Sequence, residues 1–387
     1  LEKIPLVKDT IDNDDIDNLI EWLKTYPRLT KGEKTIEFEN KWSRYLGCKK
    51  SVYINSGSSA NLAMIYALKL SKRLKNNNVV VPSVSWVTTV SPLIQLGMNP
   101  LLCECDRDTL GIDVKHFESL CQNFRPSVLV IVHVLGFPNK MKEIIEICEK
   151  YNVILVEDSC ESIGTTYDGI KTGKFGVMSS YSFYFGHHMS TIEGGMICTD
   201  DDELHNLLLS IRSHGWSRDL DLKTQIELKN KYNIDDFKAL YTFFYTGFNL
   251  RSTDLQAYIG IKQIDKLDNH NKIRNQNFKL YHNTIKNDYW KIKEFDNVYL
   301  SNFSYPIIHP NIKNIVKSLQ SNDVECRPLV CGSIGRQPFW KDVYGCSTSF
   351  EFADIVDSYG LYVPNNHQIT KDEILFICDL INKEINI

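Results

Sequence analysis

The chain has no Cys-x-x-Cys pair, although it holds eleven cysteines, and none of these lies between Cys198 and Cys326. This scatter excludes the usual paired-cysteine metal frameworks, and an odd number cannot close into a full disulfide set. Cys103 and Cys105 would share one face of a strand. With no second pair beside them, they read as buried, reduced thiols and no metal is expected. No apolar run approaches the roughly 18–20 residues that span a bilayer, so no membrane association is expected. The start, Leu1-Glu2-Lys3-Ile4-Pro5, lacks a signal-peptide pattern, and a cytoplasmic location is expected. Basic runs interleaved with aromatics are missing. With a formal net charge of −4, this argues against nucleic acid as a partner. There is no internal repeat and no low-complexity tract.

What remains is the composition of an ordinary enzyme, 43% hydrophobic and 24% charged over 387 residues. That length accommodates two domains. From about residue 50 to 260, short Val- and Ile-rich runs alternate with amphipathic stretches. Strands are predicted at Val79–Val81, Val128–Val134, Val153–Glu157, Ser180–Phe185 and Met196–Thr199. Helices are predicted at Ala60–Leu70, at Met141–Tyr151 and near Asp254–Ile264. Alternation of this kind predicts an α/β fold with a mostly parallel central sheet covered on both faces. Ligands of such sheets sit at the C-terminal ends of the strands. The polar stretch 214–245 reads as a solvated excursion. Beyond about 265 the pattern changes, so we expect a large domain over 1–264 and a smaller C-terminal α+β domain over 265–387.

Several motifs cluster at those strand ends. Asn55-Ser56-Gly57-Ser58-Ser59-Ala60-Asn61 opens an amphipathic helix. Small residues at a helix start leave backbone N–H groups free beside the positive end of the helix dipole, which is a ready phosphate seat. Asp158 closes one predicted strand. Ser182-Phe183-Tyr184-Phe185-Gly186-His187-His188 follows another and leads to Glu193-Gly194-Gly195. Together these motifs resemble the sugar-modifying, pyridoxal-phosphate-dependent aminotransferase family of fold type I. The resemblance runs from Leu29-Thr30-Lys31-Gly32-Glu33 to Val363-Pro364-Asn365-Asn366-His367-Gln368.

In that family a lysine holds the cofactor covalently, five residues after the serine and six before the glutamate. Counting from Ser182 and from Glu193, the matching position here is His187. An imidazole cannot hold the cofactor in that way. It moves protons near neutral pH, its unperturbed pKa being about 6.5. If the segment is extended, His187 and His188 point to opposite faces and only one meets the cofactor. The resemblance implies further roles. Gly57, Ser58 and Ser182 would seat the cofactor phosphate, and Trp86 would stack on its ring. Asp158 would hold the ring nitrogen protonated, and Glu161 stands where the family has Gln or His near the ring hydroxyl. Asn249 matches a residue that reaches the neighbouring subunit's phosphate, implying a homodimer with shared sites. His214 and Arg218 would bind sugar or amino donor, and Arg327 would offer an anion contact.

A cofactor site with a proton shuttle in place of its lysine implies dehydration. The resemblance implies, as the expected reaction, loss of the C3 hydroxyl from a nucleotide-linked 4-keto-6-deoxyhexose, GDP-4-keto-6-deoxymannose foremost. L-glutamate would restore the pyridoxamine phosphate form and ammonia would be released. A related dehydratase carries an iron–sulfur cluster on cysteines downstream of its histidine, a stretch empty of cysteine here, so no cluster is expected. Two other readings stand beside this one. A nucleotide-sugar aminotransferase would need a lysine, Lys171 and Lys174 being nearest in sequence. A non-catalytic cofactor-binding protein would need none.

Overall fold

The computed structural model describes residues 3–330 and 332–385. Its centre is a seven-stranded sheet. In chain order the strands are β1 (Lys50–Ile54), β2 (Asn78–Pro82), β3 (Asn99–Cys103), β4 (Val128–Val132), β5 (Ile154–Asp158), β6 (Met178–Ser182) and β7 (Gly195–Thr199). Across the sheet they lie in the order β1-β7-β6-β5-β4-β2-β3. Only β7 runs against the rest, pairing antiparallel with both β1 and β6. The other four pairings are parallel. Every residue of Val128–Val132 is buried, as expected of a strand covered on both faces.

β1 and β3, the two edges, were not expected from the sequence, and the strand predicted at 180–185 is shifted. β6 ends at Ser182, where the chain leaves the sheet for a turn. Cys103 ends β3, and Cys105 lies beyond it, bridged to Ile112. Both thiols are buried and free. The excursion 214–245 carries two short helices, Leu222–Tyr232 and Asp236–Ala239, with no buried residue in either.

The largest departure is the helix expected near 254–264. It begins at Asp254, where the Thr253 side chain caps the Gln256 N–H, and continues to Thr284. Its length is about 45 Å at 1.5 Å per residue. The expected domain join at 264/265 falls inside this continuous helix, so no linker lies there. Its first half packs on the helix Glu33–Leu46, its second on the helix Lys371–Ile385. A three-stranded antiparallel sheet follows, formed by β8 (Tyr305–Ile308), β9 (Arg327–Pro328) and β10 (Gly360–Val363) in the order β8-β10-β9. One apolar core joins this C-terminal sheet to Ile4, Val84 and Val132–Phe137 of the large unit. Among the described residues, no helix is long and apolar enough to cross a membrane.

The first half of the long helix approaches its neighbour through a glycine. A Cβ on Gly260 would stand 2.5 Å from the buried Phe38 ring. Gly260→Ala gains about 1 kcal/mol of helix propensity. It forces an overpacked contact that costs about 1–3 kcal/mol. The variant should lower the urea midpoint with no change in slope; a raised midpoint would show that Phe38 can yield.

Candidate active site

Three elements meet at the C-terminal end of the sheet. The helix Gly57–Leu70 is capped by Ser56, whose Oγ accepts the Ser59 N–H at 3.1 Å. Its first N–H groups have no intrahelical partner and face the end of β6. A Cβ on Gly57 would lie 2.6 Å from Ser182 Cβ, so a glycine is needed for the helix start to come this close. The Ser58 hydroxyl pairs with Thr88 Oγ1 at 3.0 Å. Gly57, Ser58, Asp158, Glu161, Ser182, His187, Trp86 and Arg327 all line one cavity of about 550 Å³.

Asp158, the last residue of β5, is 4% exposed and fully engaged. Its Oδ2 accepts from Asn61 Nδ2 at 2.7 Å and from Thr89 Oγ1 at 2.8 Å. Oδ1 accepts the Cys160 N–H at 3.2 Å. Asn61 is oriented in turn by the Ser180 hydroxyl, which donates to its Oδ1 at 2.6 Å. This carboxylate does more than cap an element: it is aimed into the cavity by side chains from two helices. Glu161 accepts the Leu135 N–H at 2.6 Å, and burial pushes its carboxyl up to about 7.

His187 lies in a turn, its N–H donating to the Tyr184 carbonyl at 2.9 Å, and not in the extended segment expected. The two histidines still diverge. His187 lines the cavity, with its ring 5.2 Å from that of Phe303. His188 is fully buried behind it, Nε2 3.1 Å from the Ser301 carbonyl. Burial pushes the His187 imidazole down to about 4; Asp158 pulls it up and Arg274 adds to the lowering. Its Nδ1 is buried without a hydrogen-bond partner among the described residues. Trp86 is 53% exposed at the cavity, a free face and not a core tryptophan.

The remaining expected residues lie outside this cavity. Asn249 is exposed and bridged to Ser213, its Oδ1 accepting from Arg251 Nε at 3.1 Å. His214 Nε2 stands 3.4 Å from Arg251. Arg218 lies over the Trp216 ring at 4.1 Å and bonds the Leu240 carbonyl. These residues form a separate surface group. Lys171 covers the Tyr45 ring at 3.6 Å and Lys174 pairs with Asp200 at 2.9 Å, both away from the cavity. Sequence reasoning gave no role to Thr89, Phe303, Tyr362 or Val7. Thr89 holds Asp158, and the other three line the cavity. Asn61 stood within a motif already singled out, and its place one turn into the helix was the available signal.

The residues present fit pyridoxal phosphate. They offer a helix start for an anion, a fixed carboxylate, a free indole face and an orphaned imidazole nitrogen.

Neutral imidazoles make the fold acid-sensitive. His187, His205 and His270 are pushed down to about 4 and His367 to about 3, in each case first by burial. Unfolded, each takes its proton near about 6.5. The unfolded state binds more protons between these values, so stability is full above about pH 6.5 and is lost as pH falls toward about 4. Glu161, with its raised pKa, acts in the opposite sense, one group against four. Denaturant midpoints taken from about pH 7.5 to about pH 4.5 should fall steadily. A flat profile would show that the imidazoles are not held neutral.

Residues 9–382 match the model of the DegT/DnrJ/EryC1/StrS aminotransferase family. The chain is 34% identical, over 382 residues and 95% of each chain, to GDP-4-keto-6-deoxy-D-mannose 3-dehydratase of Yersinia pseudotuberculosis. The solved E. coli GDP-4-keto-6-deoxy-D-mannose-3-dehydratase with bound hydrated PLP superposes with a TM-score of 0.88. It is 31% identical, and the match covers 98% of this chain and 99% of that one. A GDP-4-keto-6-deoxymannose-3-dehydratase with a trapped PLP-glutamate geminal diamine gives 0.86 at 31% identity, over 98% and 100% of the two chains. With its sheet order, its strand-end cavity and this coverage, the chain belongs to the DegT/DnrJ/EryC1/StrS aminotransferase family and has its fold type I architecture.

Proposed function

We propose that this chain is a pyridoxal-phosphate-dependent 3-dehydratase of a nucleotide-linked 4-keto-6-deoxyhexose. GDP-4-keto-6-deoxymannose is the substrate and L-glutamate the amino donor. One observation carries the reading: the family's cofactor cavity is lined by His187, with no lysine among its described lining residues. The names of the similar enzymes support the sugar, and the glutamate adduct in a solved relative supports the donor.

When bound, the cofactor supplies an electron sink that makes an adjacent C–H acidic and drives out a nearby oxygen substituent. Asp158 holds the ring nitrogen protonated, and its bonds from Asn61 and Thr89 fix it in place. Gly57, Ser58 and Ser182 bind the phosphate at the helix start. Trp86 offers its indole face to the ring. Glu161, titrating near 7, shares a proton with the ring hydroxyl in either sense. His187 is neutral at working pH and takes the proton of the breaking C–H bond. Hydroxide leaves poorly unless protonated, and an imidazolium with a pKa near 4 gives its proton up readily. His187 therefore returns the proton to the departing C3 oxygen. Hydrolysis then yields the 3,6-dideoxy-4-keto sugar and ammonia. Over the cycle glutamate is oxidised to 2-oxoglutarate, and C3 of the sugar is reduced by the same two electrons. Arg327, exposed beside the cavity, meets the diphosphate.

Ammonia release tests the reading. With glutamate and a panel of GDP-, CDP- and dTDP-4-keto-6-deoxysugars, it should appear with the GDP sugar. It should fall by about 10²–10⁴-fold in His187→Asn, the usual share of a positioned acid–base group. An aminated sugar formed without free ammonia would overturn it.

The same reading gives the separate surface group a task. Asn249, and with it His214 and Arg218, serves the site of a second copy in a homodimer. Mixing inactive His187→Asn and Asn249→Ala chains should restore activity, since one of the two sites in each hybrid is intact. Absence of rescue despite measured subunit exchange would place the whole site within one chain.

A further inference from the structure

A buried cation behind His187 has no role in the mechanism above. Arg274, on the long helix, is 2% exposed. Among the described residues no carboxylate pairs with it, and its Nε has no partner. Among the described residues its hydrogen bonds go to backbone carbonyls: Phe303 at 2.8 Å, Asn365, and His187 at 3.5 Å. We propose that Arg274 is a positioning residue for His187, its guanidinium tying the carbonyl of the proton-carrying turn to the Phe303 and Asn365 carbonyls. The proposal rests on the reading of His187 as proton carrier.

The surroundings favour this role over simple packing. Burying an unpaired charge is costly, and apolar side chains of similar volume usually fill such a place at no loss. A neutral amide can also tie carbonyls together, and one does so next door. Asn365 Nδ2 donates to the Arg274 and Asn302 carbonyls at 3.1 and 3.2 Å. What arginine adds is a fork that reaches three strands of chain at once, and a fixed charge. The Phe303 segment it grips also carries the ring that packs on His187 at 5.2 Å, and the Phe303 N–H donates to the Leu135 carbonyl at 2.9 Å. Leu135 in turn donates its N–H to Glu161. One guanidinium therefore braces the wall that holds His187 and Glu161.

The charge acts on the imidazole as well. The groups facing His187 are Asp158, Glu161, Cys160, Tyr184, Arg327 and Tyr362 around the cavity, His188 beside it and Arg274 behind it. His270, its ring tilted against that of His367 at 4.2 Å, acts on His188. Burial is the first cause of the low His187 pKa, and Arg274 adds to it against the pull of Asp158. Arg274 itself is pushed down to about 10 by burial and stays charged at neutral pH.

The test is an NMR titration of ¹³C-labelled histidine rings in the full chain, with the His187 signal identified by its loss in His187→Asn. Wild type is compared with Arg274→Lys, which keeps the charge, and Arg274→Gln, which keeps donors only. In wild type, His187 should titrate well below about 6.5. In Arg274→Gln its midpoint should rise by roughly one pH unit, and in Arg274→Lys it should stay near wild type. Both variants should lose about 10–100-fold in kcat with KM nearly unchanged, since the carrier is misplaced while the substrate contacts remain. A wild-type midpoint at or above the ordinary value overturns the proposal, and this arm stands even if neither variant folds. So does a folded Arg274→Gln that titrates as wild type, a Lys variant that shifts as far as Gln, or unchanged kcat in both. The titration needs no substrate. An expected titration in a chain that releases no ammonia would instead remove the dehydratase reading.

Discussion

One carboxylate organises the site. Asp158 ends a buried strand, where the chain must leave the sheet, and a lone charge there is expensive unless its oxygens are filled. Asn61 and Thr89 fill Oδ2 from two separate helices, and the Cys160 N–H fills Oδ1. Each of these bonds fixes something else. Asn61 sets the helix whose start lies against Ser182, and Thr89 sets the helix that begins after Trp86. Cys160 begins the turn that carries Glu161. Between them the three fill both oxygens of the buried carboxylate, and the cavity takes its shape from how they do so.

Legibility in the sequence followed burial. Strands covered on both faces, such as Val128–Val132, read as continuous apolar runs. The two edge strands did not. Asn99–Cys103 contains Pro100, which an edge tolerates and a central strand does not. Lys50–Ile54 begins with a charge at the opposite edge. The long helix was seen only as far as 264 because its inward face then turns polar: His270, Asn271, Arg274 and His282 are buried there. Apolar periodicity cannot report a helix that buries hydrogen-bonding groups. The motifs around Gly57, Asp158, Ser182 and His187 were legible because each sits in a short contiguous stretch. Phe303, Tyr362 and Val7 were not, since they reach the cavity from distant parts of the chain. The N-terminal stretch is held there by Ile4 N–H to the Asp323 carbonyl at 2.9 Å and by Leu6 N–H to Glu325 at 3.0 Å.

The choice between two adjacent histidines shows how a local premise can fail while its consequence holds. Alternation of side chains was argued from an extended strand. The segment is a turn, and Gly186 is buried within it. The two rings still separate because they answer different demands. His188 has a carbonyl acceptor in Ser301 and no exposure, so it is a satisfied core residue on that side. Each ring keeps a buried Nδ1 without a partner among the described residues, and what separates the two is place: His187 lines the cavity and His188 does not. In a folded protein an unpaired buried polar atom costs stability and needs a reason.

The imidazoles of this region share one electrostatic cause. His187, His188, His270 and His367 all have lowered pKa values, each first through burial. Around them the structure places an arginine that, among the described residues, bonds to carbonyls alone. A carboxylate partner for Arg274 would be the cheaper arrangement for the cation. It would also stand beside His187 and favour the charged imidazole, joining Asp158 in raising its pKa. Carbonyl oxygens solvate the guanidinium without adding a negative charge, so Arg274 joins burial in holding His187 neutral. The fold gives up stability in acid to keep such imidazoles neutral: His187 in its turn, His270 on the second half of the long helix, His367 beside it, and His205 on the separate helix Asp202–Arg212.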